Sequence, residues 1–223
     1  VIGLLNIFDN AARVGASKIV FASSGGVLYG DVTTPASEDA PKKPMSPYGI
    51  SKWVGERYLK FYAASTPMKS IALRYSNVYG PRQNPHGEAG VVAIFCQRLL
   101  RGEPATINGD GKYIRDYVYV TDVAEANFHA LTDPAVEPFR PYNVGTGIGV
   151  DTNQIGSAIY QECVRLEGNR QKVPELQRGP ARAGDLRSNL IDASRAGQDW
   201  GWRPRVKFDT GLRQTVEWFH AAT

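Results

Sequence analysis

Apolar side chains return every three to four positions through residues 1–14, at Ile2, Leu4, Leu5, Ile7, Phe8, Ala11 and Val14, which predicts an amphipathic helix ending near Gly15. The period then changes. Ile19, Val20, Phe21 and Ala22 run apolar without a break, as in a strand covered on both faces in a parallel sheet. The same exchange of patterns continues: a helix opened by Pro47 and reaching about residue 64, a strand at 70–75, a helix near 90–101 and a short strand at 105–107. A strand at 115–120, a helix capped from Thr121 to about residue 131, and Tyr142-Asn143-Val144 closing the core sheet follow. Beyond Gly149, helices near 152–166, 193–200 and 209–221 alternate with short strands and proline-rich loops, as in a smaller second unit. Residues 31–47, rich in Pro, Thr, Lys and Asp, read as a surface loop, and no repeat is present. The pattern is that of an α/β protein.

Composition narrows the functional classes. With 42% hydrophobic and 22% charged residues in 223, the chain can bury a real core. The net charge of +4 is modest and its arginines are scattered, so local anion sites are expected and nucleic acid is not. Cys96 and Cys163 lie in apolar or helical contexts without pair spacing, which suits a reducing compartment and gives no metal signal. No apolar span of about 18 residues and no secretion signal is seen, so a cytoplasmic protein without a membrane segment is expected.

Candidate chemistry gathers at Ser46-Pro47-Tyr48-Gly49-Ile50-Ser51-Lys52. Tyr48 and Lys52, four residues apart, share one helix face, where the ammonium favours the phenolate. A tyrosine that normally titrates near 10 thereby becomes usable as a base toward an alcohol. Ser23 and Ser24 end the strand at 18–22, and the carboxyl edge of an open α/β sheet is where ligands bind.

Ser23-Ser24 with Tyr48 and Lys52 resemble the Ser/Thr, Tyr, Lys set of extended short-chain dehydrogenase/reductases, and the chain is most similar to their NAD-dependent nucleotide-sugar epimerases and dehydratases. The resemblance covers nearly the whole chain. It recurs in Leu73-Arg74-Tyr75-Ser76-Asn77-Val78-Tyr79-Gly80-Pro81-Arg82, in Gly109-Asp110-Gly111 followed by the stretch from Arg115 to Ala124, in Tyr142-Asn143-Val144-Gly145 and in Arg182-Ala183-Gly184-Asp185. It implies an incomplete Rossmann doubly wound sheet (residues 1–80 with 115–147) and a smaller α/β cap that binds the nucleotide sugar (residues 81–114 with 148–223). No G-x-x-G-x-x-G joins a strand to a helix, and Val1 stands inside a helical pattern; family members carry that loop upstream, so roughly a hundred residues are expected to precede Val1. The chain alone is then expected to hold NAD poorly.

The resemblance further implies 4-epimerisation of a UDP-sugar, UDP-glucose to UDP-galactose, through a transient 4-keto sugar, with NAD as hydride acceptor and donor. Tyr48 would take the C4 hydroxyl proton, Lys52 would bond the nicotinamide ribose and hold the tyrosinate, and Ser24 would align the reacting oxygen, with Ser23 as fallback. Ser23, Tyr48, Lys52, Tyr75 and Ser76 would contact the cofactor. Ser24, Asn77, Val91, Arg115, Arg182 and Asp185 would contact the substrate, the guanidinium groups on the diphosphate. Arg182 could instead pair with Asp185. Ser76 and Asn108 stand where many relatives carry an aromatic, and Gly90 where some carry asparagine.

Gly25 and Gly26 occupy the places where dehydratases of the superfamily carry an Asp-Glu pair, which places 4-epimerisation ahead of 4,6-dehydration and decarboxylation. A non-catalytic descendant or inactive fragment is the alternative of another class. The helices at 1–14 and from Tyr48 to about 64 match those that pair family members as homodimers, although Leu4, Phe8, Trp53 and Phe61 could equally be core.

Overall fold

The amphipathic first helix, α1 (Ile2–Arg13), leads into β1 (Lys18–Ser24), whose carboxyl end runs straight into a single turn, α2 (Gly25–Leu28). The fold is a computed structural model and describes residues 1–86, 90–134, 137–168, 172–182 and 184–222. Next come α3 (Pro47–Ser65), β2 (Lys69–Tyr75), β3 (Asn77–Tyr79), α4 (Val91–Leu100), β4 (Thr106–Asn108) and β5 (Ile114–Tyr119). The chain ends with α5 (Val120–Thr132), β6 (Phe139–Val144), β7 (Gly149–Asp151), α6 (Thr152–Glu167), β8 (Gln177–Gly179), β9 (Ser188–Asn189), α7 (Ser194–Trp200) and α8 (Phe208–Ala221).

Strands β1, β2 and β6 form a parallel sheet in that order, with Ser24 opposite Tyr75 and Tyr75 opposite Val144. Strand residues alternate faces, so β2 feeds two cores at once. Ala72 joins Phe8 and Leu59 under α1 and α3, whereas Ile71 and Leu73 join Val123, Ala126 and Ala196 under α5 and α7. Each large aliphatic side chain so covered contributes about 1.5–3 kcal/mol. Phe8 is core, Leu4 and Trp53 are partly buried, and Phe61 is exposed.

Strand β5 does not enter this sheet, because β1 and β6 already occupy both edges of β2. It pairs instead with β3, β7 and β9, and its inner side chains pack with α4, α6 and α8 in a further core around Ile107, Tyr119, Ile155 and Leu212. Ser46 caps α3 by accepting from Gly49 N at 3.1 Å, with Pro47 at the first helical position. Asp151 and Gln154 form a reciprocal capping box on α6. The cap expected of Thr121 is absent: β5 passes directly into α5, Tyr119 is the boundary residue, and no side chain caps it.

Candidate active site

The carboxyl ends of β1 and β2 open into a cavity of about 660 Å³. Ser24 and Tyr48 line it together with Ser76, Asn77, Val91, Arg115 and Asp185, side chains drawn from stretches as far apart as β1 and the segment before β9. A second chamber of about 390 Å³ shares Asn77, Val91, Arg115 and Asp185 with the first and adds Arg182, Asn108 and Tyr113. Ten expected residues are therefore divided as follows: eight line one or both chambers, and Lys52 stands behind Tyr48. The remaining two, Ser23 and Tyr75, are turned away.

Lys52 lies one turn beyond Tyr48 on α3, with Nζ 5.5 Å from the centre of the Tyr48 ring. Nζ donates to Ala22 O at 2.9 Å. An ammonium has three N–H groups, so two remain for a ligand. Burial pushes Lys52 down from its ordinary value. The Tyr48 side chain is half exposed and borders the cavity mouth.

The alternation of β1 separates the two serines. Ser24 lines the cavity, while Ser23 is 3% exposed and donates its hydroxyl to Glu56 of α3. The expectation of a cofactor contact or a catalytic fallback for the Ser23 hydroxyl is thus corrected: it points to the α3 face. Tyr75 requires the same correction. Its ring lies on the α5 face, and its hydroxyl donates to Asn127 Oδ1 at 2.9 Å. Ser76 borders the cavity but is 8% exposed, and its backbone N–H donates to Val144 O at 2.9 Å.

Arg115, rather than Arg182, reaches Asp185, at 3.6 Å from Nη2 to Oδ1, and also donates from Nη1 to Ile114 O at 2.9 Å. Asn77 is held by two bonds from Nδ2, to Asp116 O at 3.0 Å and Asn189 Oδ1 at 3.2 Å. Asn189 was not foreseen. Strand β9 brings it opposite Arg115, where it donates to Gly26 O at 2.9 Å, a placement that only tertiary pairing produces. Gln83 and Met45 also border the cavity, and no residue pattern signalled either.

A glycine at position 25 is dictated by space. A Cβ there would lie 2.8 Å from Ile191 Cδ1 and 3.0 Å from Arg74 O. At Gly26 the nearest atoms, on Asn189 and Asn77, are 3.7 Å away. No acidic side chain flanks Ser24 on this side.

Residues 1–145 match the family described as the NAD dependent epimerase/dehydratase family. The chain belongs to that family. It is 42% identical over 98% of its length to the UDP-glucose 4-epimerase of Mycolicibacterium smegmatis, of which it spans 67%. It superposes over 100% of its length on the UDP-glucose 4-epimerase of Thermotoga maritima solved with UDP-glucose, at 42% identity and a TM-score of 0.90, spanning 69% of that chain. The Thermus thermophilus UDP-glucose 4-epimerase in complex with NAD gives 43% identity and a TM-score of 0.90, with 70% of that chain spanned. Parallel strands flanked by helices on both faces are thus the Rossmann-like arrangement of NAD-dependent epimerases.

Proposed function

We propose that this chain carries the proton-transfer groups and the substrate cavity of an NAD-dependent epimerase that inverts C4 of a UDP-sugar, interconverting UDP-glucose and UDP-galactose through a transient 4-keto sugar. One observation supports this above the others: Ser24 and Tyr48 border the same cavity as Asn77, Arg115 and Asp185, so a proton-transfer pair and a phosphate-type anchor share one space. In this reading Tyr48 exchanges a proton with the C4 oxygen and Ser24 aligns that oxygen by a hydrogen bond. Arg115 and Arg182 bond the diphosphate, and Asp185 a hydroxyl of the nucleoside. Val91 supplies an apolar wall.

The residues present suit a nicotinamide nucleotide. Lys52 has two unspent N–H groups beside Tyr48, fit to bond ribose hydroxyls, and Ser76 stands at the carboxyl end of β2. NAD, when bound, supplies hydride acceptance and return at C4. Lys52 holds the ribose and keeps its positive charge close to the Tyr48 ring.

Dehydration and decarboxylation are the second reading, and the crowding at Gly25 argues against them. Elimination needs an additional acid and base next to the catalytic hydroxyl, and position 25 has no room for a side chain. The division into a nucleotide-binding part and a substrate cap belongs to the same proposal, supported by the separate core around α4, α6 and α8. So does a homodimer formed through α1 and α3, on which Ile2, Ile7, Ile50 and Phe61 are exposed. No helix among the described residues is long and apolar enough to cross a membrane, and a cytoplasmic setting is proposed.

The deciding experiment is Tyr48→Phe in the NAD-loaded protein. Turnover of UDP-glucose should fall by about 10²–10⁴-fold with UDP binding kept, and the product of the unaltered protein should be the C4 epimer. Unchanged turnover, or a 4-keto-6-deoxy product, rejects the reading.

A further inference from the structure

Tyr48, Lys52 and Glu56 follow one another at four-residue steps, so all three lie on one face of α3. Two are fastened to consecutive residues of β1. Lys52 Nζ donates to Ala22 O at 2.9 Å, and Ser23 Oγ donates to Glu56 Oε1. The next β1 residue is Ser24, which borders the cavity. Glu56 is itself held from β2: Arg74 donates from Nε to Oε1 at 2.9 Å and from Nη2 to Oε2 at 2.6 Å. The other arm of that guanidinium donates from Nη1 to Tyr29 OH at 3.0 Å and Glu38 O at 2.9 Å. Glu56 and Arg74 are each 2% exposed.

The geometry points to Glu56 as a positioning residue that, through Ser23 and Arg74, fixes α3 against β1 and so sets Tyr48 against Ser24; its catalytic meaning rests on the epimerase reading above. A helix held at one point can still turn about that point or slide along its axis. A second bond one turn away, about 5.4 Å along the axis, removes both freedoms. Glu56 supplies the second bond without touching the cavity. Reacting groups must be placed closely, since a displacement near 1 Å can cost about 10²-fold in rate.

The inference is tested by Ser23→Ala and Ser23→Thr, which alter the bond to β1 but leave the Glu56–Arg74 fork intact. In the NAD-loaded protein Ser23→Ala should lower kcat about tenfold while KM for UDP-glucose and the melting temperature stay close to those of the parent, and Ser23→Thr, which keeps the hydroxyl, should restore kcat. A second readout needs no turnover: the ¹³Cζ resonance of labelled Tyr48 should shift in Ser23→Ala and return in Ser23→Thr. An unchanged kcat, or a Tyr48 resonance that does not move, overturns the inference. A parent without epimerase activity defeats the functional reading alone, and the Tyr48 resonance then still decides whether Ser23 and Glu56 set the position of that ring.

Discussion

Arg115 and Asp185 face each other at the junction of the two chambers, with Nη2 3.6 Å from Oδ1 and side chains 15% and 44% exposed. The separation is long for an ion pair. Asp185 therefore orients the guanidinium without consuming it, and the fork stays available to an anionic ligand. Arg115→Leu should weaken UDP binding by about 1.5–3 kcal/mol, which is roughly 10- to 150-fold. Calorimetric titration with UDP measures this. Arg115→Lys should recover only part of the loss, because an ammonium cannot make the bidentate contact.

Arg74 and Glu56 are a buried ion pair, and burial has raised the cost of separating them. Neighbouring Glu56 and Tyr29 hold the Arg74 guanidinium above its ordinary value despite that burial. Glu56→Leu leaves a charged group with no carboxylate in a dry setting and should cost about 3–5 kcal/mol of unfolding free energy. Adding Arg74→Met should return part of that loss, so the double variant is more stable than the sum of the single ones. Urea denaturation of the four proteins checks it.

Gly25 and Gly26 should respond differently to the same methyl group. At position 25 the backbone oxygen of Arg74 cannot give way, so Gly25→Ala should destabilise by about 1–3 kcal/mol. Gly26→Ala meets only ordinary contacts and should stay within about 0.5 kcal/mol of the parent. Thermal melting of the pair distinguishes them.

Lys42 introduces a pH dependence at the alkaline end. Burial, followed by the positive charge of Arg74, pushes its ammonium down from 10.5 to about 8. Between those values the unfolded chain binds more protons than the folded one, so this group adds stability as pH rises through the window; below it the penalty is complete. The effect is small because the group is partly exposed. The stability difference between the parent and Lys42→Gln should shift in favour of the parent from about pH 8 to about pH 10.5, measured by denaturation at several pH values. A constant difference refutes the assignment.

Much of the architecture was legible because local signals and the final packing agree. The apolar run at 19–22, the Ser46-Pro47 helix start and the turn of period at residue 70 each name an element that the fold contains. The face shared by Tyr48 and Lys52 follows from helix geometry alone, and the same arithmetic would have found Glu56. Thr121 misled, since a threonine beside a helix is a cap only when the chain enters from an extended turn, and here β5 leads straight in. The sheet membership of β5 was equally hidden, since apolar content marks a strand but not which edges are vacant.

Residue order by itself determined which side chains this protein has for proton transfer and anion binding, and on which elements they ride, because helical and extended periods are local properties. The tertiary structure alone decided which of two adjacent serines faces the cavity, that Arg115 rather than Arg182 meets Asp185, and that Asn189 stands beside Asn77. Those outcomes depend on strand pairing and helix docking between segments far apart in the chain, where packing and the exclusion of unpaired buried polar groups select one arrangement from several that local preference permits.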